Sequence, residues 1–157
     1  MDANRLRIVE VFAEFDDREL SLLASVMTTR HYEPEHTIFQ KGARATACYV
    51  VLTGSVEVTV EGEGQMQTTV AEMTPGKLFG EIALVDGGLR SATCQAGSDG
   101  VELAILGRTE FEQIFNAGNS FAFKLLDIVG DRVVERVRKA AGELVDVVLA
   151  ERTRPRI

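Results

Sequence analysis

Apolar and polar positions follow three successive textures along the chain. In the first, Leu6, Val9 and Ala13, joined by Ile8 and Phe12, recur at helical spacing and predict a helix packed on one side. A second helix is predicted to open at Asp16, where Glu19 three residues later completes a capping-box pair. Its apolar face is Leu20, Leu23, Ala24 and Met27.

From His31 the texture becomes strand-like. Residues 37–40, 47–52, 55–60 and 67–71 are short runs rich in β-branched side chains. Gly42, Gly54, Gly62, Gly64 and Pro75-Gly76 punctuate them. Over 55–60 the alternation is clean, with Val56, Val58 and Val60 on one face and Ser55, Glu57 and Thr59 on the other. Two further strands are predicted at about 92–96 and 101–105. Short strands at this spacing, with glycine turns, predict an antiparallel sandwich or barrel.

The third texture is helical again, over 109–115 and then over a much longer stretch from about 119 to 150. Leu126, Gly130, Val133, Val137, Ala140, Leu144 and Val147 form a heptad seam, broadened by Val134, Ala141, Val145 and Val148. Such a helix reaches roughly 45 Å at 1.5 Å per residue, longer than a small barrel is wide. Its far half therefore bares a valine stripe unless it folds back on the barrel or meets a second copy. A homodimer through the seam is the expectation, because no other part of the chain remains to cover it. Ala140, Ala141 and Gly142 allow close approach there, although Gly142 also weakens the helix.

Composition narrows the function classes. The chain has 157 residues, about one domain's worth, and 45% of them are hydrophobic, as expected of a packed core. With 17 Lys and Arg against 24 Asp and Glu the net charge is −7, and no basic cluster stands out, which argues against nucleic acid as a direct partner. No apolar run approaches the roughly 20 residues that span a bilayer, and the start lacks a signal-peptide core. Two cysteines, Cys48 and Cys94, make no disulfide framework. The expectation is a soluble, cytoplasmic domain with no membrane partner.

Chemistry concentrates in residues 76–96. Strand and turn residues lead to Phe79-Gly80, a short helical turn begins at Glu81-Ile82-Ala83-Leu84-Val85 and breaks at Asp86-Gly87-Gly88, and a strand resumes after Arg90. A helix N-terminus presents unsatisfied N–H groups and a positive dipole end, which suits an anion. If the loop folds back, Arg90 faces the same point with planar bidentate donors, and Ser91 adds a hydroxyl. The carboxylate of Glu81 fits beside a phosphate if it accepts a hydrogen bond from an adjoining hydroxyl, as on a ribose.

These residues resemble the cyclic nucleotide-binding domain family, found in the catabolite activator protein and in protein kinase A regulatory subunits. The likeness covers about residues 8–138. Phe12-Ala13-Glu14-Phe15 with Leu20 is similar to the family's N-terminal helix, and Ile38-Phe39 followed by Gly42 to its early strand and turn. Tyr49-Val50-Val51-Leu52-Thr53-Gly54-Ser55-Val56-Glu57-Val58 resembles its strand–glycine–strand hairpin. Pro75-Gly76 and Phe79-Gly80-Glu81-Ile82-Ala83-Leu84, closing on Arg90-Ser91-Ala92-Thr93, resemble its phosphate-binding cassette nearly residue for residue; Leu89 stands where many members have proline.

The resemblance implies an α+β fold: an antiparallel β-roll or jelly-roll barrel with short N-terminal helices and a long C-terminal helix. Residues 1–118 would form the roll, with the cassette at 76–93; residues 119–150 would be a lid and dimerisation helix, and 151–157 a tail. It implies that Glu81 holds a ribose 2′-hydroxyl and that Arg90 pairs with a cyclic phosphate. Ser91 and the backbone N–H groups of Ile82, Ala83 and Ala92 would help, with Gly80 letting the backbone approach. Val70 and Ala71 would line the pocket, and Arg132 and Arg136 on the long helix are the nearest candidates to reach the base. The ligand implied is cAMP, with cGMP as the other possibility, and no cofactor. The family's transcription factors continue into a DNA-reading module, for which the seven residues after Ala150 are too few.

The remaining candidates have plainer readings. His31 and His36 are too few for a metal site and are expected in exposed loops. Cys48 and Cys94 read as buried small hydrophobes. Phe111, Phe115, Phe121 and Phe123 read as core, and Arg132 and Arg136 have solvated charge as their plain reading. With no nucleophile–base pair, close carboxylate pair or metal cluster, the chain reads as a binder and not an enzyme. Two alternatives remain open: a scaffold with a drifted pocket, and the sensory half of a truncated transcription regulator.

Overall fold

The computed structural model of the chain describes residues 1–153. The residues beyond Thr153, and the side chains of Val147 and Val148 of the predicted seam, lie outside what is described. Six strands form one antiparallel sheet: β1 (Thr28–Tyr32), β2 (Thr37–Phe39), β3 (Ala47–Glu61), β4 (Gln67–Met73), β5 (Leu78–Phe79) and β6 (Thr93–Gly107). The order is β1-β6-β3-β4, with β2 also on β6 and β5 also on β3. Helices α1 (Asp17–Val26), α2 (Arg108–Asn116) and α3 (Ser120–Thr153) pack outside it.

Two 15-residue strands, β3 and β6, form the spine of the roll, pairing from Ala47↔Gly107 to Thr59↔Thr93. The run 47–52 is buried on both faces, and its alternation sorts side chains between two cores. Ala47, Tyr49 and Val51 point into the roll with Phe79, Val101 and Leu103. Cys48, Val50 and Leu52 point outward to Leu6, Phe12, Leu23, Phe111, Phe121 and Leu125 of the helical layer.

Gly54 does not close the hairpin that the family resemblance implies; β3 runs through it as one strand. The register against β6 shifts there, and the inward set changes from odd (Tyr49, Val51) to even (Val56, Val58) positions. A one-residue irregularity in a ladder has that effect. The strands predicted at 92–96 and 101–105 are likewise one strand, bent at Gly97–Gly100. Gly54 has φ 77°, and a Cβ on it would fall 2.1 Å from the Gly100 carbonyl oxygen, so only glycine fits where the two bends face each other.

The N-terminal segment forms two short 3-10 helices, Ala3–Ile8 and Glu10–Phe12, and not the single helix predicted. Val9 between them is extended (φ −85°, ψ 105°), and Ala13 is exposed. The capping box of α1 forms as expected: Asp16 accepts from the Glu19 N–H at 2.8 Å and Glu19 accepts from the Asp16 N–H at 2.9 Å. Met27 ends that helix as its C-cap, and β1 follows, an edge strand that the pattern does not predict.

Helix α3 docks through Phe121, Ala122, Leu125 and Val129 and then leaves the core. Lys124 ties it to the N-terminal layer, donating to Glu19 at 2.7 Å and to the Glu14 carbonyl at 3.0 Å. Beyond that, Val133, Val134, Val137, Leu144 and Val145 are exposed. Phe115 and Phe123 are exposed as well, ring against ring at 5.4 Å, so only Phe111 and Phe121 of the four predicted core phenylalanines are buried. His36 is exposed in a loop as expected, whereas His31 is exposed on strand β1. No helix among the described residues is long and apolar enough to cross a membrane.

Candidate functional site

Within the cassette, Gly80 (φ 71°) turns the chain from β5 into a 3-10 helix, Glu81–Leu84, that ends before Asp86-Gly87-Gly88. Asp86 accepts from the Gly88 N–H at 2.8 Å and tightens that turn. The returning arm is strapped to the loop after β2 by backbone bonds of 2.8 Å: Gly42 N–H to the Arg90 carbonyl, Ala45 N–H to the Gly88 carbonyl and Arg90 N–H to the Ala43 carbonyl. The fold-back that the sequence reading required is thus built by a segment some 45 residues earlier in the chain.

A cavity of about 310 Å³ opens beside this turn, within the range of small-molecule sites. The cassette contributes Gly80, Ile82, Ala83, Asp86, Gly88, Leu89, Arg90, Ser91 and Ala92 to its wall. Phe39, Ala45, Val58, Met73, Phe79, Cys94 and Arg136 complete it.

Arg90 is only 8% exposed. Its Nη2 donates to the Ala47 carbonyl at 2.6 Å and its Nη1 reaches the Gly80 carbonyl at 3.4 Å. Its buried Nε has no hydrogen-bond partner among the described residues. A buried N–H left unpaired is costly, and a guanidinium in that state favours an incoming anion. Glycine suits position 80 because its φ of 71° strains any other residue, and a Cβ there would stand 2.7 Å from Arg90 Nη1 and displace it.

Glu81 is 2% exposed and accepts from Arg136 Nη2 at 3.2 Å, the contact by which α3 reaches into the site. A carboxylate buried this deeply needs a charged or hydrogen-bonding partner. The same oxygen atoms can also take a hydroxyl donor from a ligand. Burial pushes the thiols of Cys48 and Cys94 up to about 12, with Arg90 opposing the shift, so both stay neutral near pH 7. Among the described residues no group of three His, Cys, Asp or Glu is placed to hold a metal ion.

The geometry separates the candidates. Gly80, Glu81, Ile82, Ala83, Arg90, Ser91 and Ala92 come together at one turn, and all except Glu81 line the cavity, Glu81 lying buried behind it in contact with Arg136. Val70 is 57% exposed and outside the cavity wall; Ala71 is opposite Val58 but does not line it either. Val58 and Met73 of the same β3–β4 pair do, and the register shift between Val58 and Thr59 leaves Val70 without a partner on β3. Arg132 points elsewhere, into a depression shared with Glu10, Glu14, Asp127 and Asp131. The aromatic residues Phe39, Tyr49 and Phe79 around Arg90 were given no role by spacing, since they meet it only through the tertiary fold.

The family model described as cyclic nucleotide-binding domain matches residues 29–117. The chain is 32% identical over 112 residues to a cGMP-dependent protein kinase of Caenorhabditis briggsae, covering 71% of this chain and 15% of that protein. It is 32% identical over 139 residues to the cyclic AMP receptor protein of Thermus thermophilus, covering 88% of this chain and 62% of that one. The crystal structure of Thermus thermophilus catabolite activator protein superposes with a TM-score of 0.76 and 29% identity, over 88% of this chain and 62% of that one. The chain therefore spans only part of the length of these relatives.

Proposed function

The chain belongs to the cyclic nucleotide-binding domain family, and we propose that it is a regulatory sensor for cAMP, without enzymatic activity of its own, whose ligand repositions α3. The observation that carries this reading is the buried Arg90 with its unpartnered Nε, set beside Gly80 and the buried carboxylate of Glu81. Phosphate takes the guanidinium, and the ribose 2′-hydroxyl takes Glu81. The preference for cAMP over cGMP is supported by the longer match, which extends over most of α3, to the relative named for cyclic AMP.

Repositioning follows from Arg136. Its pairing with Glu81 makes α3 a direct neighbour of the ribose position, so a ligand that engages Glu81 changes the contacts that hold the helix. A ligand shifts such an equilibrium only by its differential affinity for the two helix positions. Exposed Val133, Val137 and Leu144 support a homodimer through α3, and the acidic charge supports a soluble cytoplasmic protein that acts through another protein and not through nucleic acid.

Thermal unfolding with cAMP, with cGMP and without ligand tests the reading. A ligand at a hundred times its Kd adds about 2.7 kcal/mol, a clear rise in midpoint. The rise is expected with cAMP and lost in Arg90→Ala, which removes a charge-assisted contact of about 1.5–3 kcal/mol. A rise with cGMP alone would reverse the base preference. No rise with either, in protein free of co-purified nucleotide, would leave a scaffold.

A further inference from the structure

Arg90 is a buried cation with no carboxylate paired to it among the described residues. Two carbonyl oxygens accept from its N–H groups, and the guanidinium carbon lies over two aromatic rings, 4.1 Å from the Phe39 ring centre and 5.5 Å from that of Tyr49. The floor of this arrangement is firm. Tyr49 and Phe79 are register partners across β3 and β5, and their rings stack at 5.2 Å with 17° between planes.

Phe39 completes the cluster from the other side, 5.6 Å from Tyr49 and 6.2 Å from Phe79. It stands on β2, which pairs with β6 through Thr37↔Gln95 and Phe39↔Cys94, with a register shift between them. Phe39 also lines the cavity, half-buried, in contact with the space a ligand would fill.

A guanidinium is weakly hydrated on its faces and carries all its N–H donors in its plane. Rings can therefore replace water on the face while the edge stays open, and the attraction strengthens as water is excluded. We propose that Phe39 is a positioning residue for the anion: its ring holds the Arg90 plane in the orientation that leaves Nε–H available to a phosphate oxygen. The proposal rests on the nucleotide reading above and assigns the means by which that site keeps an unpaired cation in place before ligand arrives. A leucine at 39 fills similar space and supplies no π-face.

Calorimetric titration of cAMP and of cGMP into the parent, Phe39→Leu and Phe39→Tyr distinguishes the cases. Phe39→Leu is expected to weaken binding about tenfold and Phe39→Tyr, which keeps the ring, to stay within about twofold. A thermal-unfolding cycle without nucleotide, pairing Phe39→Leu with Arg90→Met, is expected to show non-additive midpoints, since the ring and the guanidinium support each other directly; rescue of binding by Phe39→Tyr is the readout that separates positioning from packing. If the parent binds and Phe39→Leu binds equally well, or Phe39→Tyr loses as much as Phe39→Leu, or the cycle is additive, the positioning role is overturned while the nucleotide site stands. If the parent binds neither nucleotide, the nucleotide reading is overturned, and this role with it.

Discussion

Gly80 shows how much of the site rests on single atoms. Its backbone lies at φ 71°, and the Arg90 Nη1 atom occupies the space next to its missing Cβ. Gly80→Ala is expected to cost about 1–2 kcal/mol from the left-handed conformation and to push Arg90 off its carbonyl partners. Weaker nucleotide binding by calorimetry together with a lowered unfolding midpoint would bear this out; parent-like affinity would not. Such residues were legible in the sequence because glycine, acid and arginine lie within one short stretch whose chemistry is local. Phe39, Tyr49 and the strap at Gly42–Ala45 were not legible, since each meets Arg90 across a sheet or loop and no spacing along the chain encodes that. Arg136 was legible as one residue of a helix face, but only the packing of α3 selects it over Arg132, one turn earlier.

At the scale of elements, the sequence reading succeeded where the signal is local and failed where a distant partner decides. The Asp16–Glu19 capping box starts α1 where predicted, because both bonds lie within one turn. Strand β1 has an exposed, polar run ending in the buried Tyr32, so no alternation reveals it; β6 recruits it as an edge. After Gly54 the alternation puts Val56 and Val58 inward as predicted, although Thr59, predicted on the polar face, is buried at 4% exposure; whether glycine reverses a strand or bends it depends on the strand opposite. The bend predicts its own sensitivity: in Gly54→Ala a Cβ would collide with the Gly100 backbone, and the positive φ adds strain. A loss of about 2 kcal/mol or more is expected, measured as a lowered denaturant midpoint with unchanged slope. An unaffected midpoint would show that the two bends can separate without cost.

For the molecule as a whole, the open question is what α3 meets. Val137 and Leu144, at 62% and 64% exposure, lie on a stripe that the roll does not cover. A second copy meeting it along the heptad seam would bury both. Val137→Asp is then expected to halve the mass found by light scattering with the roll still folded, and an unchanged mass would remove the seam from the account. The β3–β6 ladder has a different consequence, for the order of events in folding. It joins Thr59 to Thr93 and Ala47 to Gly107, so the whole cassette sits in a length of chain whose ends meet only when that ladder closes. Contacts this distant in sequence form slowly, and the anion site cannot exist before they do. Bound nucleotide therefore acts as a brake on opening and not as a template for collapse: it lengthens the lifetime of the folded chain and leaves the speed at which a fresh chain folds untouched.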